Sequence, residues 1–135
     1  MNNESLPIVF INCRKYAFIN WIMAGAKIYE TRNKNTLKSL IGKRVYIAET
    51  GKGKRPIIKC IATIDSVLII DNFEDYNNLR DETMIEKNSV FDWKQETKRK
   101  YLYKLSNIEK ISAFIPKEGK RHGFVWMEYA GKENQ

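Results

Sequence analysis

A single histidine, His122, stands in 135 residues. A zinc site or a serine-type triad would need most of its usual ligands or bases from elsewhere. Metal chemistry and histidine general-base chemistry are therefore set aside, and no cofactor is expected. Cysteine is scarce too, since Cys13 and Cys60 are too few and too far apart for a disulfide framework or a metal knuckle. Cys13 as a nucleophile competes with a plainer role as a small buried hydrophobe. No apolar run approaches the roughly 20 residues that span a bilayer. The opening Met-Asn-Asn-Glu has no basic region before its short apolar run, so it does not read as a secretory signal. A cytoplasmic protein without a membrane partner is the expectation. Internal repeats, low-complexity tracts and linkers are absent as well.

Acidic residues are the minority. Lys plus Arg number 24 against 16 Asp plus Glu, a formal charge of +8, and such a balance favours polyanionic partners such as nucleic acid. The chain is long enough for one domain with its own core, taken as residues 1–135, and its 43% hydrophobic content is that of a globular protein.

Along the chain, Pro7 to Ile11 is short, β-branched and suits a first strand. Asn12 offers an acceptor for a helix start. From Arg14 to Ala24 apolar residues recur at four-residue spacing, which predicts a helix ending at Gly25. The stretch from Gly25 to Arg32 then sets a lysine, a glutamate and an arginine close together, directly after that apolar segment. Read as a strand from Lys27 to Arg32, it places Glu30 and Arg32 on one face and Tyr29 and Thr31 on the other, with Lys27 steered toward the same opening. A solvated Glu-Arg pair at a junction is the plainer reading, worth about 1 kcal/mol or less.

A polar connection, Asn33 to Asn35, leads to a helical turn over Leu37 to Ile41, capped by Thr36. Strands follow at Val45–Ala48, Ile57–Ile64, Val67–Ile70 and Ile111–Ile115. In the strand from Ile57, the residues Ile58, Cys60, Ala62 and Ile64 share one face. Between Thr50 and Pro56 lies a glycine-containing loop without the spacing or the Lys-Ser/Thr ending of a P-loop. It reads as a basic hairpin whose Lys52, Lys54 and Arg55 are candidates for phosphate contacts. Asp71 or Asn72 caps a short helix carrying Phe73, Tyr76 and Leu79, and Asp81 to Thr83 ends that unit. Met84 to Lys100 is a helix or an ordered loop. At its end, Lys98, Arg99 and Lys100 stand beside Trp93, Tyr101 and Tyr103. Cations interleaved with aromatics serve single-stranded nucleic acid, but Tyr101, Tyr103 and Leu105 read equally as the core face of a strand. Pro116 to Gly119 is a turn, and Gly123 to Tyr129 a closing strand. The tally predicts an α+β domain, a mostly antiparallel barrel or curled sheet of six or seven strands with two or three helices packed on it.

The order of these features resembles that of an ASCH domain, a branch of the PUA-like β-barrel superfamily. The resemblance rests on a helix, then Gly25-x-Lys27-x-x-Glu30-x-Arg32, then Leu40-Ile41-Gly42-Lys43-Arg44-Val45-Tyr46-Ile47, and a late Gly123-Phe-Val-Trp strand. It runs from about Ile8 to Tyr129 and implies a cleft beside the first helix, with Lys27, Glu30 and Arg32 lining an RNA or nucleotide site. Members resembling acetylcytidine amidohydrolases carry Lys-x-x-Thr, the threonine as nucleophile and the lysine as its activator. This chain has Glu30 at that threonine's position, with Thr31 facing away, and Glu82 falls about where such enzymes place their acidic partner.

Three functions follow as expectations. The first is RNA or nucleotide binding, with Lys27 and Arg32 on phosphate, Glu30 accepting hydrogen bonds from a base or sugar, and Trp21 or Tyr29 stacking. The second is a small metal-independent hydrolase acting on RNA or a modified nucleoside, with Lys27 and Glu30 as its electrostatic and acid-base groups. The third is a protein-interaction module.

Overall fold

In a computed structural model, residues 6–53, 55–116, 121–122 and 126–128 are described. Strand β1, Pro7–Asn12, lies inside the sheet and is apolar on both faces because both are covered. It pairs in parallel with β3, Arg44–Thr50, and antiparallel with β7, Trp126–Glu128, which in turn pairs with β6, Arg121–His122. A parallel pair needs a crossover. Helix α1, Phe18–Met23, strand β2, Tyr29–Arg32, and a 3-10 turn at Lys38–Leu40 supply it. Beyond β3 run two long strands, β4, Ile57–Ile70, and β5, Lys100–Phe114, with β2 on the far side of β5. The sheet order is β2-β5-β4-β3-β1-β7-β6. Short helices α2, Phe73–Asn78, and α3, Arg80–Thr83, fill the connection between β4 and β5.

The α+β class agrees with expectation; the sheet is mixed through the parallel β1–β3 pair, and a closed barrel of six or seven strands is not shown. Among the described residues the two ends of the sheet, β2 and β6, do not pair. The segments Val67–Ile70 and Ile111–Ile115, expected as separate strands, are continuations of β4 and β5. Register shifts between Ile58 and Cys60, Ile61 and Thr63, and Ile64 and Ser66 carry the pair through its bends. One of them overturns the expected strand face. Lys59 has no partner in β3, so Ile58 joins the cluster with Ile8, Phe10 and Tyr46, while Cys60, Ala62 and Ile64 join the cluster under α1.

Helix α1 is shorter than its apolar pattern predicts. Asn12 does not cap it; its side chain accepts from the Arg14 N–H at 2.9 Å in a local turn, and the helix begins only at Phe18. Gly25, at φ +79, ends it as expected. Of the two candidate caps for α2, Asn72 serves, accepting from the Asp75 N–H at 2.9 Å. Residues 84–99 form an ordered loop, not a helix. Asp92 anchors it, accepting from the Asn88 and Trp93 N–H groups at 2.7 and 2.8 Å and from Arg80 at 3.1 Å. Burial opposes charge on Asp92, but those donors outweigh it and hold its carboxyl below the usual range. Residues 117–119 of the expected turn and most of the Gly123 to Tyr129 strand lie outside the described residues.

Candidate functional site

Lys27 reaches its position through the backbone. The Trp21 carbonyl accepts from both Ala26 and Lys27 N–H groups, at 2.9 and 3.1 Å, folding the chain back beneath α1. Ile28 is then fixed between two elements, its N–H on the Glu82 carbonyl at 2.8 Å and its carbonyl accepting from Leu105 at 3.0 Å. Between these ties the Lys27 side chain runs inward, only 2% exposed. Its Nζ donates to the Thr83 carbonyl at 2.5 Å and stands 4.7 Å from the Phe18 ring centroid. Burial pulls the ammonium's pKa down to about 8, Glu30 partly offsetting this and Arg32 adding to it.

Strand alternation sets the next two groups. Glu30 and Arg32 share a face of β2, and Arg32 Nε donates to Glu30 Oε2 at 2.8 Å. Arg32 Nη2 also donates to the Phe10 carbonyl at 2.8 Å, joining β2 to β1. Thr31 alternates toward the other face although the residue borders the cleft, and its buried hydroxyl has no hydrogen-bond partner among the described residues.

These three side chains converge on one cleft of about 390 Å³ between β1, β2 and the 84–99 loop. Phe10, Ile11, Phe18, Ile85 and Phe91 supply its apolar surface, and Asn12, Asn33 and Thr50 its neutral polar groups. A fourth charge comes from Lys100 at the start of β5. It is 3% exposed and donates to Asn33 Oδ1 at 2.6 Å and to the Phe91 carbonyl at 3.1 Å. Burial lowers its pKa as well. Lys27, Arg32 and Lys100 against Glu30 leave a net positive lining. Such a cleft, apolar with a few convergent charged groups, is suited to an anion that carries a flat apolar part.

The other expected residues lie elsewhere. Trp21 does not line the cleft; it packs edge-on against Phe18, ring centroids 5.7 Å apart, on the core side. Tyr29 faces the opposite side of β2 and packs with Ile70, Tyr76 and Leu102. Neither ring is therefore positioned to stack on a ligand in the cleft. Glu82 contributes its carbonyl to Ile28, while its side chain does not line the cleft. Tyr103 is fully buried, its hydroxyl accepting from the Leu37 N–H at 3.2 Å and bonded to Asn35, so the core reading holds for it. Lys52 is exposed in the turn after β3, and Arg55 donates to the Pro116 carbonyl at 3.1 Å. Lys54 lies outside the described residues. Lys98 and Arg99 are exposed on the loop that leads into β5. Asn33 was legible only as a polar connection, and Lys100 only as one member of a charge run.

Comparison with known proteins bears on the fold. No protein-family model and no curated sequence matches the chain. Among solved structures it is similar to an ASCH protein from Zymomonas mobilis, with a TM-score of 0.66 at 16% identity over 81% of this chain and 72% of the other. A Ser-to-Ala variant of that protein gives 0.66 at 16% over 85% and 77%. A Tyr-to-Phe variant gives 0.62 at 18% over 83% and 76%. The chain has the fold of ASCH domains, and the resemblance read from its motifs holds at that level.

Proposed function

We propose that the chain is an RNA- or nucleotide-binding domain of ASCH type, its ligand seated in the cleft between β1 and β2. The observation that carries this reading is the convergence of Lys27, Glu30, Arg32 and Lys100 on one sheltered hollow with apolar walls. Arg32 and Lys100 meet phosphate oxygens, since each is held by a neighbour yet borders open space. Glu30 accepts from a base or a ribose hydroxyl. Phe91 or Phe10 takes over the apolar contact first assigned to Trp21 and Tyr29. Calorimetric titration with each ribonucleoside monophosphate, at low and physiological salt, tests this. Binding that weakens with salt and is lost in Arg32→Ala and Lys100→Ala supports it; heat signals identical to buffer at low salt remove it.

A hydrolytic reading has one observation in its favour. Lys27 combines deep burial with a pKa pulled down to about 8, within reach of acid-base work near neutrality. The electrostatic field of Glu30 acts on the same ammonium. Incubation with RNA and with acylated nucleosides, comparing wild type with Lys27→Ala and Glu30→Gln, decides it. Turnover abolished by both changes supports the enzyme, and equal trace activity in all three proteins identifies a contaminant.

A further inference from the structure

A second hollow, of about 720 Å³, opens along the segment that enters β5. It shares Asn33, Val90 and Lys100 with the cleft, so the two hollows adjoin along those side chains. Lys100 stands on the boundary. Two of its ammonium protons are taken by Asn33 and the Phe91 carbonyl, and an ammonium has one more to give. Val90 stands on the same rim 80% exposed, an apolar side chain that a base or ribose would cover.

The charge of the second hollow is also uneven. Lys94, Lys98, Arg99 and Lys100 line it against Asp92 and Glu96. Asp92 is already engaged by Arg80 and by two backbone N–H groups. Lys98 and Arg99 are exposed, and among the described residues no ion pair or hydrogen bond takes either of them. Unpaired cations on a concave surface concentrate a polyanion.

We propose that this second hollow takes the nucleotide next to the one in the cleft, with Lys98 and Arg99 on the connecting backbone and Lys100 between the two positions. The ligand is then a single-stranded polynucleotide, not a free nucleotide. This rests on the nucleotide reading of the cleft. Single strandedness follows from enclosure, because a base cannot enter a hollow walled by β1, β2 and the 84–99 loop while still paired and stacked in a duplex.

The test measures affinity against length with the full chain, using a mononucleotide, a dinucleotide, a trinucleotide and a hexanucleotide of RNA. Affinity is expected to rise about tenfold or more from one nucleotide to three, as a linked second contact allows, and then to level off. Lys98→Ala/Arg99→Ala, at exposed positions, should erase that rise and leave mononucleotide affinity unchanged, while Lys110→Ala, exposed and lining neither hollow, should alter neither. Equal affinity for all lengths overturns the proposal and leaves the nucleotide reading standing. So does a rise that survives in the double variant. Absence of binding by every ligand removes both together, and preference for a duplex over the single strand removes the proposed mode of entry.

Discussion

Replacing Lys27 by methionine isolates the electrostatic cost on which the cleft depends. The ammonium's pKa falls from the ordinary 10.5 to about 8 because burial strips it of water. Below about pH 8 the side chain is charged in both folded and unfolded states, and the folded state bears the full cost of burying it. Between about 8 and 10.5 the unfolded chain holds the proton and the folded chain has released it, so stability rises with pH across that window. Above it both states are neutral and the cost is gone. The interval, at about 1.4 kcal/mol per pH unit, amounts to about 3 kcal/mol. Burial also shifts Lys100 downward and Tyr103 upward from their ordinary values. They remain in the variant, so the difference between the two proteins removes most of their contribution. Urea unfolding of wild type and Lys27→Met from pH 7 to 10.5 should show wild type gaining about 3 kcal/mol relative to the variant. At pH 7 the variant escapes the burial cost but leaves the Thr83 carbonyl without its donor, a loss of about 1–3 kcal/mol. The two proteins should then differ there by less than the pH-dependent gain. A difference that stays flat with pH would refute the burial of a charged lysine, and with it the sheltered character of the cleft.

Two further predictions concern the surroundings. Tyr103→Phe removes the acceptor of the buried Leu37 N–H and the bond to Asn35; about 1–3 kcal/mol of stability should be lost with nucleotide affinity intact, and reduced affinity at full stability would return Tyr103 to the ligand site. Gly51→Ala places a Cβ 2.5 Å from Asn12 Oδ1 at a residue with φ +88; stability should fall by more than about 1 kcal/mol, and affinity should fall too because Asn12 borders the cleft.

Part of the cleft was readable because its geometry is local. Lys27, Glu30 and Arg32 follow a helix-ending glycine and alternate on a short strand, so chain order alone brings them near one another. Lys100 was not readable as a neighbour of Asn33, because it arrives through the antiparallel pairing of Arg32 with Tyr101. That register joins segments far apart in sequence. The assignment of Tyr29 failed for a different reason. A strand with one charged face suggests a sheet buried on one side only, whereas here the opposite face is also covered, by residues around Tyr76 and Trp93. Helix α1 starts later than its pattern suggests: Asn12 accepts from the Arg14 N–H, the bond an N-cap makes, but the helix begins only at Phe18.

The cleft lies where the Arg32 side chain joins β2 to β1. Among the described residues β2 pairs with β5 alone, and β1 pairs with β3 and β7. Buried backbone groups need hydrogen-bond partners wherever they lie. Arg32 provides one by crossing to the Phe10 carbonyl, and Glu30 holds the guanidinium in that orientation. Because the seam is bridged by a charged side chain, it keeps its spacing while leaving room for a ligand, and the bridging group itself points positive charge into that room. Structural support and anion attraction therefore fall on the same residue. Arg32→Met, which keeps length and loses the fork, should for that reason lower stability and ligand affinity together, whereas Lys100→Met should weaken binding more than it weakens the fold. Paired measurements of unfolding and nucleotide titration on the two variants separate these roles, and equal effects from both would mean that the seam is not what the arginine holds.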